Sequence, residues 1–172
     1  MKAILLVLCG LLAACATQPR TPPKPPVALT TDDADIYEAV FRHQFGRNAS
    51  ATQQSAGSYF IQIMEADPTD TFLLRFAGHT PSVKRASEAR HGRDSGIYDR
   101  QTRRMSLIFE AGAIRWHGRN TVEVDGSYYE GNLSSSGNTY RLKRQGTKWK
   151  VVSDTMSWIS DARTSSANDC NG

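Results

Sequence analysis

The chain has 172 residues, a formal net charge of +4 and a pI of about 9.1, and 39% of its residues are hydrophobic. This length suffices for one domain with a hydrophobic core. Because no segment of about 20–50 residues recurs, the sequence excludes a solenoid or another repeat architecture.

The N-terminal segment, residues 1–15, shows the order of features that directs export. Lys2 supplies a positive charge, the next ten residues form an apolar run interrupted only by Gly10, and two small residues precede Cys15. A membrane span needs about 20 residues, so this run is too short to cross a bilayer, but it fits the apolar region of a cleavable signal. The segment resembles a bacterial lipoprotein signal peptide with Leu12-Ala13-Ala14-Cys15 as its lipobox.

This resemblance implies both a cellular location and a lipid anchor. Residues 1–14 would be the signal peptide, and Cys15 would receive a diacylglyceryl group and often a further acyl chain, such as palmitate, on its new amino end. Such chains hold a protein in a bilayer, because each buried methylene contributes about 0.8 kcal/mol. Ala16 follows Cys15, where an aspartate would suggest retention in the inner membrane, so the resemblance implies the outer membrane, facing the periplasm. An ordinary secretory signal with a chance cysteine is the alternative interpretation.

Residues 15–31 form a predicted tether between the lipid and the domain. They hold five of the seven prolines of the chain. Such a segment favours extended polyproline II, which rises about 3.1 Å per residue. A single domain is predicted over residues 32–161, followed by a flexible tail over residues 162–172. In the mature chain Cys170 would be the only free thiol, which excludes an internal disulfide and leaves either an intermolecular bridge or an inert cysteine.

The domain opens with a segment of helical periodicity. Thr31 and Asp32 are candidate N-caps, and Gly46 is a candidate stop. Glu38 and Arg42 are four residues apart in the favourable order for an ion pair. The apolar residues that recur on one predicted helix face are Ile36, Tyr37, Val40, Phe41 and Phe45.

After this helix the hydrophobic pattern changes to a period of two, which predicts strands. The Gln145-Gly146 pair predicts a tight turn, and a slip in the pattern between Val151 and Met156 predicts a β-bulge in the last strand. The predicted strands cover residues 59–64, 71–76, 107–116, 121–125, 139–143 and 149–158.

One face of the later strands is apolar and the other is charged, which is typical of an antiparallel sheet covered on one side. The predicted fold is therefore α+β, with one N-terminal amphipathic helix packed on a curved antiparallel sheet of five or six strands. In outline it resembles the cystatin-like and nuclear-transport-factor-2-like folds. Residues 36–45, 128–140, 149–152 and 156–160 are also similar to a small domain of unknown function found in exported and lipid-anchored bacterial proteins. These resemblances supply no catalytic residues, and a fold does not define an activity.

No arrangement of residues in the sequence predicts catalysis or metal binding. The four histidines show no metal-ligand spacing, and Ser134-Ser135-Ser136-Gly137 lacks the Gly-x-Ser-x-Gly elbow of serine hydrolases. We therefore predict no catalytic residue, no metal site and no cofactor.

Three candidate ligand-binding residues are basic or titratable. His43 lies at the border of the apolar helix face, where it either packs structurally or lines a pocket. Arg115 and His117 are predicted to point toward the solvated face of the sheet. There they either contact an anion or remain solvated.

A second set of candidates surrounds the aromatic residues of the later strands. Tyr128 and Tyr129 are predicted to lie on opposite faces, so at least one of them is a candidate for an exposed ring that stacks on a sugar or a peptide; packing in the core is the alternative. Tyr129 is the candidate ring, and Glu130 and Asn138 are its candidate polar partners. The aromatic residues of these strands are Tyr128, Tyr129, Tyr140, Trp149 and Trp158.

The segment from residue 84 to residue 104 concentrates basic charge, because seven Lys and Arg residues face only three acidic ones. Its two glycines and few apolar residues predict a mobile loop. Such a loop either attracts anionic lipid head groups or cell-wall polymers, or is solvated without a ligand. The basic residues are Lys84, Arg85, Arg90, Arg93, Arg100, Arg103 and Arg104.

Two classes of function fit the sequence. The first is a lipid-anchored envelope lipoprotein whose domain is a non-catalytic module that binds a protein, a peptide or a cell-wall ligand. The second is a small-molecule-binding or enzymatic domain with a pocket between helix and sheet, in which His43 meets a carboxylate or a tyrosine. A filled interior would count against the second class. An exported protein is not expected to bind nucleic acid.

Overall fold

The computed structural model describes residues 24–47, 50–93, 95–131 and 134–161. The predicted signal peptide, Cys15, most of the tether, the predicted tail and Cys170 lie outside these residues. The helices within the described ranges are each too short or too polar to span a bilayer.

The described chain opens with a helix of 17 residues, and its four longest strands come last. The helices are α1 (Thr31–Arg47), α2 (Ala51–Ser55) and α3 (Asp70–Leu73), and 3-10 turns occur at Leu74–Phe76 and Ala86–Glu88. The strands are β1 (Ser58–Ile63), β2 (Ser82–Arg85), β3 (Ala89–His91), β4 (Ile97–Asp99), β5 (Leu107–Trp116), β6 (Thr121–Gly131), β7 (Ser134–Gln145) and β8 (Lys148–Asp161).

Helix α1 follows the predicted periodicity, with different caps. Thr30 caps it, because its hydroxyl accepts from the Asp33 backbone N–H at 3.2 Å while the Asp33 carboxylate accepts from the Thr30 N–H at 3.1 Å. The helix continues through Gly46 instead of stopping there. Arg42 Nε donates to Glu38 Oε1 at 2.8 Å, which confirms the predicted pair.

The six-stranded sheet has the order β2-β1-β5-β6-β7-β8. This confirms an α+β domain with six strands in its main sheet, but the sheet is mixed instead of wholly antiparallel. Strand β1 runs parallel to both β2 and β5, whereas β5 to β8 form an antiparallel meander. Parallel neighbours require a crossover connection, and α3 with its 3-10 turn lies in the connection from β1 to β2.

Two predicted segments have a different structure from the one expected. Residues 71–76 form α3 and a 3-10 turn instead of a strand, because the Thr69 side chain caps the helix at the Phe72 N–H and Phe72 and Phe76 are buried four residues apart. Residues 84–104 contain the end of β2, a 3-10 turn and the β3–β4 hairpin instead of a mobile loop.

The two faces of the sheet carry separate hydrophobic clusters. On the face that we call inner, strand side chains such as Phe109 and Val124 form one cluster with buried side chains of α1, such as Ile36 and Phe41. On the opposite, outer face, Phe60 of β1 forms a smaller cluster with residues of the β3–β4 hairpin, and Ile108 and Tyr129 pack against it. The hairpin therefore covers the outer face over β1, one end of β5 and the end of β6 that holds Tyr129, and the part over β7 and β8 lies beyond this cluster.

Candidate functional site

Four residues form a straight row across the outer face of the antiparallel strands. The register pairs Glu110 of β5 with Ser127 of β6, Ser127 with Gly137 of β7, and Gly137 with Trp158 of β8. Side chains alternate between the faces of a strand, so this row shares its face with Ile108 and Tyr129. We call these four positions the outer row.

The indole of Trp158 lies directly on the backbone of Gly137. A Cβ atom built on Gly137 would lie 2.1 Å from Trp158 Nε1 and 2.5 Å from Cε2, which is closer than real atoms approach. Only glycine leaves room for the ring in this position. Trp158 nevertheless remains 49% exposed, so much of its surface is available to a ligand.

A groove of about 500 Å³ runs along the outer row. Its lining is polar apart from the indole and the glycines, and exposed residues such as Asp125 and Trp158 leave it open to solvent. The side chains that matter for a ligand are Glu110, Asp125, Ser127, Thr139, Ser157 and Trp158.

The two carboxylates of the groove differ in their partners. Arg115 binds both oxygens of Asp125, with Nη2 at 2.8 Å from Oδ1, and Thr139 Oγ1 also donates to Oδ1 at 2.8 Å. The hydrogen bond from Arg115 lowers the pKa of Asp125, and Thr139 lowers it further, against the opposing effect of burial. Glu110 is half-buried, and its carboxylate makes no hydrogen bond or ion pair with any other part of the described chain.

Gln44 of α1 supports the groove floor from the inner face. Its side-chain amide donates to the backbone carbonyls of Glu110 and Ser127, both at 3.3 Å. Gly126 makes this approach possible, because a Cβ there would lie 2.7 Å from Gln44 Nε2. The helix is thereby connected to two positions of the outer row.

His43 and Asn138, two of the predicted site residues, meet at the carboxylate of Asp154, for which the sequence predicted no role. His43 Nε2 lies 2.9 Å from Asp154 Oδ2, and Asn138 Nδ2 donates to Asp154 Oδ1. The ring of Tyr140 lies edge-on to His43 at 5.4 Å. Burial raises the pKa of Tyr140 to about 12, and the charge of Asp154 contributes to this rise while a hydrogen bond from Gln44 opposes it.

This inner cluster has the contacts that a pocket between helix and sheet would require, and one of its residues, Asn138, also lines the outer-face groove. Four cavities between the described residues have volumes of about 390–500 Å³, and neither His43 nor Asp154 lines any of these four. Hydrophobic side chains of α1 and the strands occupy the interface beside it.

The other predicted candidates are not brought together at one site. Arg115 borders the groove through Asp125, whereas His117 Nε2 contacts Glu123 Oε2 at 3.1 Å. Tyr128 and Tyr129 lie on opposite faces, as predicted, but both are half-buried.

The remaining pair, Tyr129 and Glu130, contacts neighbouring segments of the chain. The Tyr129 hydroxyl donates to the Ser95 carbonyl at 3.4 Å, and Glu130 accepts a hydrogen bond from the Ser50 hydroxyl.

Several basic residues of the segment 84–104 have structural contacts. Lys84 Nζ lies 2.8 Å from Asp99 Oδ2, Arg85 pairs with Asp70, and Arg100 Nε donates to the Ala89 carbonyl at 2.8 Å. These contacts hold the hairpin and β2 in place. Part of the excess of basic residues in this segment therefore forms structural contacts within the domain.

The fold and the groove together define a small α+β domain with an open, mildly acidic site on one sheet face. Within the described ranges, no three His, Cys, Asp or Glu side chains are arranged to hold a metal ion. The sequence matches no family model, and comparisons with curated proteins and with solved structures found no significant similarity. The function is therefore inferred from the site itself.

Proposed function

We propose that this protein is a lipid-anchored envelope lipoprotein whose domain is a non-catalytic module that binds a saccharide-containing cell-wall component in the outer-face groove. The observation that carries the proposal is the exposed indole of Trp158 lying on Gly137 beside a polar groove. Aromatic rings present a flat apolar surface to the ring face of a sugar, while hydroxyl and carboxylate groups bind its polar edge. In this proposal α1 covers the inner face and leaves the outer face to the ligand.

The lining of the groove favours binding over catalysis. Glycoside hydrolysis by two carboxyl groups requires one of them to have a raised pKa so that it acts as an acid. Arg115 lowers the pKa of Asp125, which makes Asp125 unsuited to be the acid, and it binds both carboxylate oxygens, so neither is free to act as the nucleophile. The hydroxyl groups of Ser127 and Thr139 have no histidine among the described groove residues to activate them.

Replacing Trp158 with alanine is expected to weaken binding to purified cell-wall sacculi by about tenfold or more, because the indole supplies the main apolar contact. The measurement is co-sedimentation of the mature protein, in detergent micelles, with sacculi. The matched control is Trp116→Ala. Trp116 is similarly exposed, at 47%, but packs against Trp149 outside the groove. Equal binding by the Trp158→Ala variant and the unsubstituted protein would refute the proposal.

Replacing Cys15 with serine is expected to release the protein from the membrane fraction, because a hydroxyl cannot take the thioether-linked lipid. The measurement is incorporation of labelled palmitate together with fractionation of cells that express the full chain. A protein that incorporates no palmitate, and whose fractionation the substitution leaves unchanged, would show that the anchor is absent. Cys170→Ser is the matched control and should leave both readouts unaltered.

A further inference from the structure

We propose that the groove selects a saccharide that carries a protonated amino group, with Glu110 as the counter-ion and Trp158 as the stacking surface. This inference rests on the proposed function and names its ligand class. It depends on the unpaired carboxylate of Glu110, on the dimensions of the outer row, and on the charge of the groove relative to the rest of the chain.

Glu110 is the proposed counter-ion for the amino group. Its carboxylate is half-buried and has no partner among the described residues, whereas both oxygens of Asp125 are bound by Arg115. A partly buried charge without a partner is unfavourable, and a cationic ligand group would relieve this cost. An ammonium group is the sugar substituent that supplies such a charge.

The spacing of the outer row fits one sugar ring between the two groups. Neighbouring strands are about 4.8 Å apart, so about 14 Å separates the backbones of Glu110 and Trp158. The indole of Trp158 lies over Gly137 of β7. The space between the indole and the Glu110 side chain of β5 therefore spans only β6. Ser127 lies in this gap and presents a hydroxyl group to it.

The charge of the groove is opposite to that of the whole chain. The chain carries +4, yet two acidic side chains and no basic ones are among the described residues that line the groove. Arg115 compensates Asp125 from outside, which leaves the charge of Glu110 uncompensated. A positively charged ligand is therefore concentrated at this groove, and an indole face adds a favourable cation–π contribution.

The hydroxyl groups distinguish a sugar from a purely apolar amine. Thr139 and Ser157 already hydrogen-bond to each other at 3.1 Å, whereas the Ser127 hydroxyl faces the groove without a side-chain partner among the described residues. An apolar ligand would desolvate this hydroxyl without replacing its hydrogen bonds to water, and a hydroxylated ring would replace them. Acetylation of the amino group would remove its charge and leave Glu110 unpaired.

The test compares three probes by calorimetric titration of the mature protein in detergent micelles. They are a glucosamine trimer, an N-acetylglucosamine trimer and trilysine. We expect the glucosamine trimer to bind about tenfold more tightly than its acetylated form, and Glu110→Gln to remove this difference. Trp158→Ala should weaken both trimers. The matched control is Glu123→Gln, because Glu123 lies outside the groove and contacts His117.

Each other outcome overturns the inference in a distinguishable way. If both trimers bind equally and both depend on Trp158, the groove still binds saccharides and only the selection of an amino group is refuted. If trilysine binds more tightly than either trimer through Glu110, the saccharide class is wrong. If no trimer binds while sacculi still sediment with the protein in a Trp158-dependent manner, the proposed function survives without the inference. Thermal unfolding of each variant verifies that it is folded.

Discussion

Replacing Asp99 with alanine is expected to lower the free energy of unfolding by about 3–5 kcal/mol, because it breaks a buried ion pair by removing one partner. Asp99 is only 1% exposed. Its Oδ2 accepts hydrogen bonds from Ser58 Oγ at 2.6 Å and from Lys84 Nζ at 2.8 Å. Its Oδ1 accepts from the backbone N–H groups of Gln101 and Thr102 at 2.8 and 3.1 Å. The carboxylate thus joins β4 to β1 and β2.

The same carboxylate is expected to make the domain sensitive to acid. Burial alone would raise the pKa of Asp99, but the hydrogen bonds from Lys84, Ser58 and the two backbone N–H groups outweigh it and hold the pKa well below its usual range. A group with a lowered folded-state pKa contributes its full stability above the unfolded pKa of about 3.9. That contribution is lost as the pH falls through the folded pKa. The Asp99→Ala variant should therefore lose less stability in acid than the unsubstituted protein.

Urea unfolding between neutral and acidic pH measures both effects. The matched control is Asp125→Ala, since this carboxylate also pairs with a basic residue but is 55% exposed. An exposed pair contributes about 0–1 kcal/mol, so the control should unfold near the original midpoint. If both variants lose the same small amount of unfolding free energy, the hydrogen bonds of Asp99 do not stabilise the attachment of the hairpin to the sheet.

The periodicity of the later strands made much of the sheet predictable. Alternation around Val122, Tyr140 and Trp149 predicts three strands that the structure confirms, and the Gln145-Gly146 turn joins the last two. The predicted bulge between Val151 and Met156 is confirmed, because the pairing skips Val152. These features are local, so a single stretch of sequence contains them.

The features that the sequence did not predict depend on distant partners. The alternation of side chains in β1 does not show whether the neighbouring strands run parallel to it. Their direction depends on the long segments that connect β1 to β2 and β2 to β5. Leu73 and Leu74 look like part of a strand, yet the cap at Thr69 and the buried spacing of Phe72 and Phe76 favour a helix. The density of basic residues in the segment 84–104 predicted a solvated loop, but Lys84 instead binds Asp99, which lies 15 residues away in the sequence.

The outer row shows most clearly why the site could not be derived from the sequence. Without bulges, the Gln145-Gly146 turn would place Trp158 opposite Ser135. Two bulges in the β7–β8 pair each advance β8 by one residue, which brings Trp158 opposite Gly137. The sequence signals the first bulge, but the second, beside Met156, has no comparable signal. The sequence identified Trp158 as a candidate aromatic residue, but it did not indicate that Gly137 lies beneath its ring.

Replacing Gly137 with alanine is expected to weaken binding to sacculi as strongly as Trp158→Ala does, although the ligand-stacking residue itself is unchanged. The new Cβ would occupy the position of the indole, whose Nε1 lies 2.1 Å away from it, so the ring must leave the groove wall. Tryptophan fluorescence should report the displaced ring, and co-sedimentation should report the loss of binding. Gly46→Ala is the matched control, because a Cβ there meets no atom within 4 Å.

The double variant Gly137→Ala/Trp158→Ala gives the decisive comparison. If the glycine acts only by seating the indole, the double variant should bind as weakly as either single one, because residues in contact couple non-additively. Additive losses would mean that Gly137 contacts the ligand directly. Full binding by Gly137→Ala would mean that the position of the indole over β7 is irrelevant to the ligand, and the groove would then lose its role as the binding site.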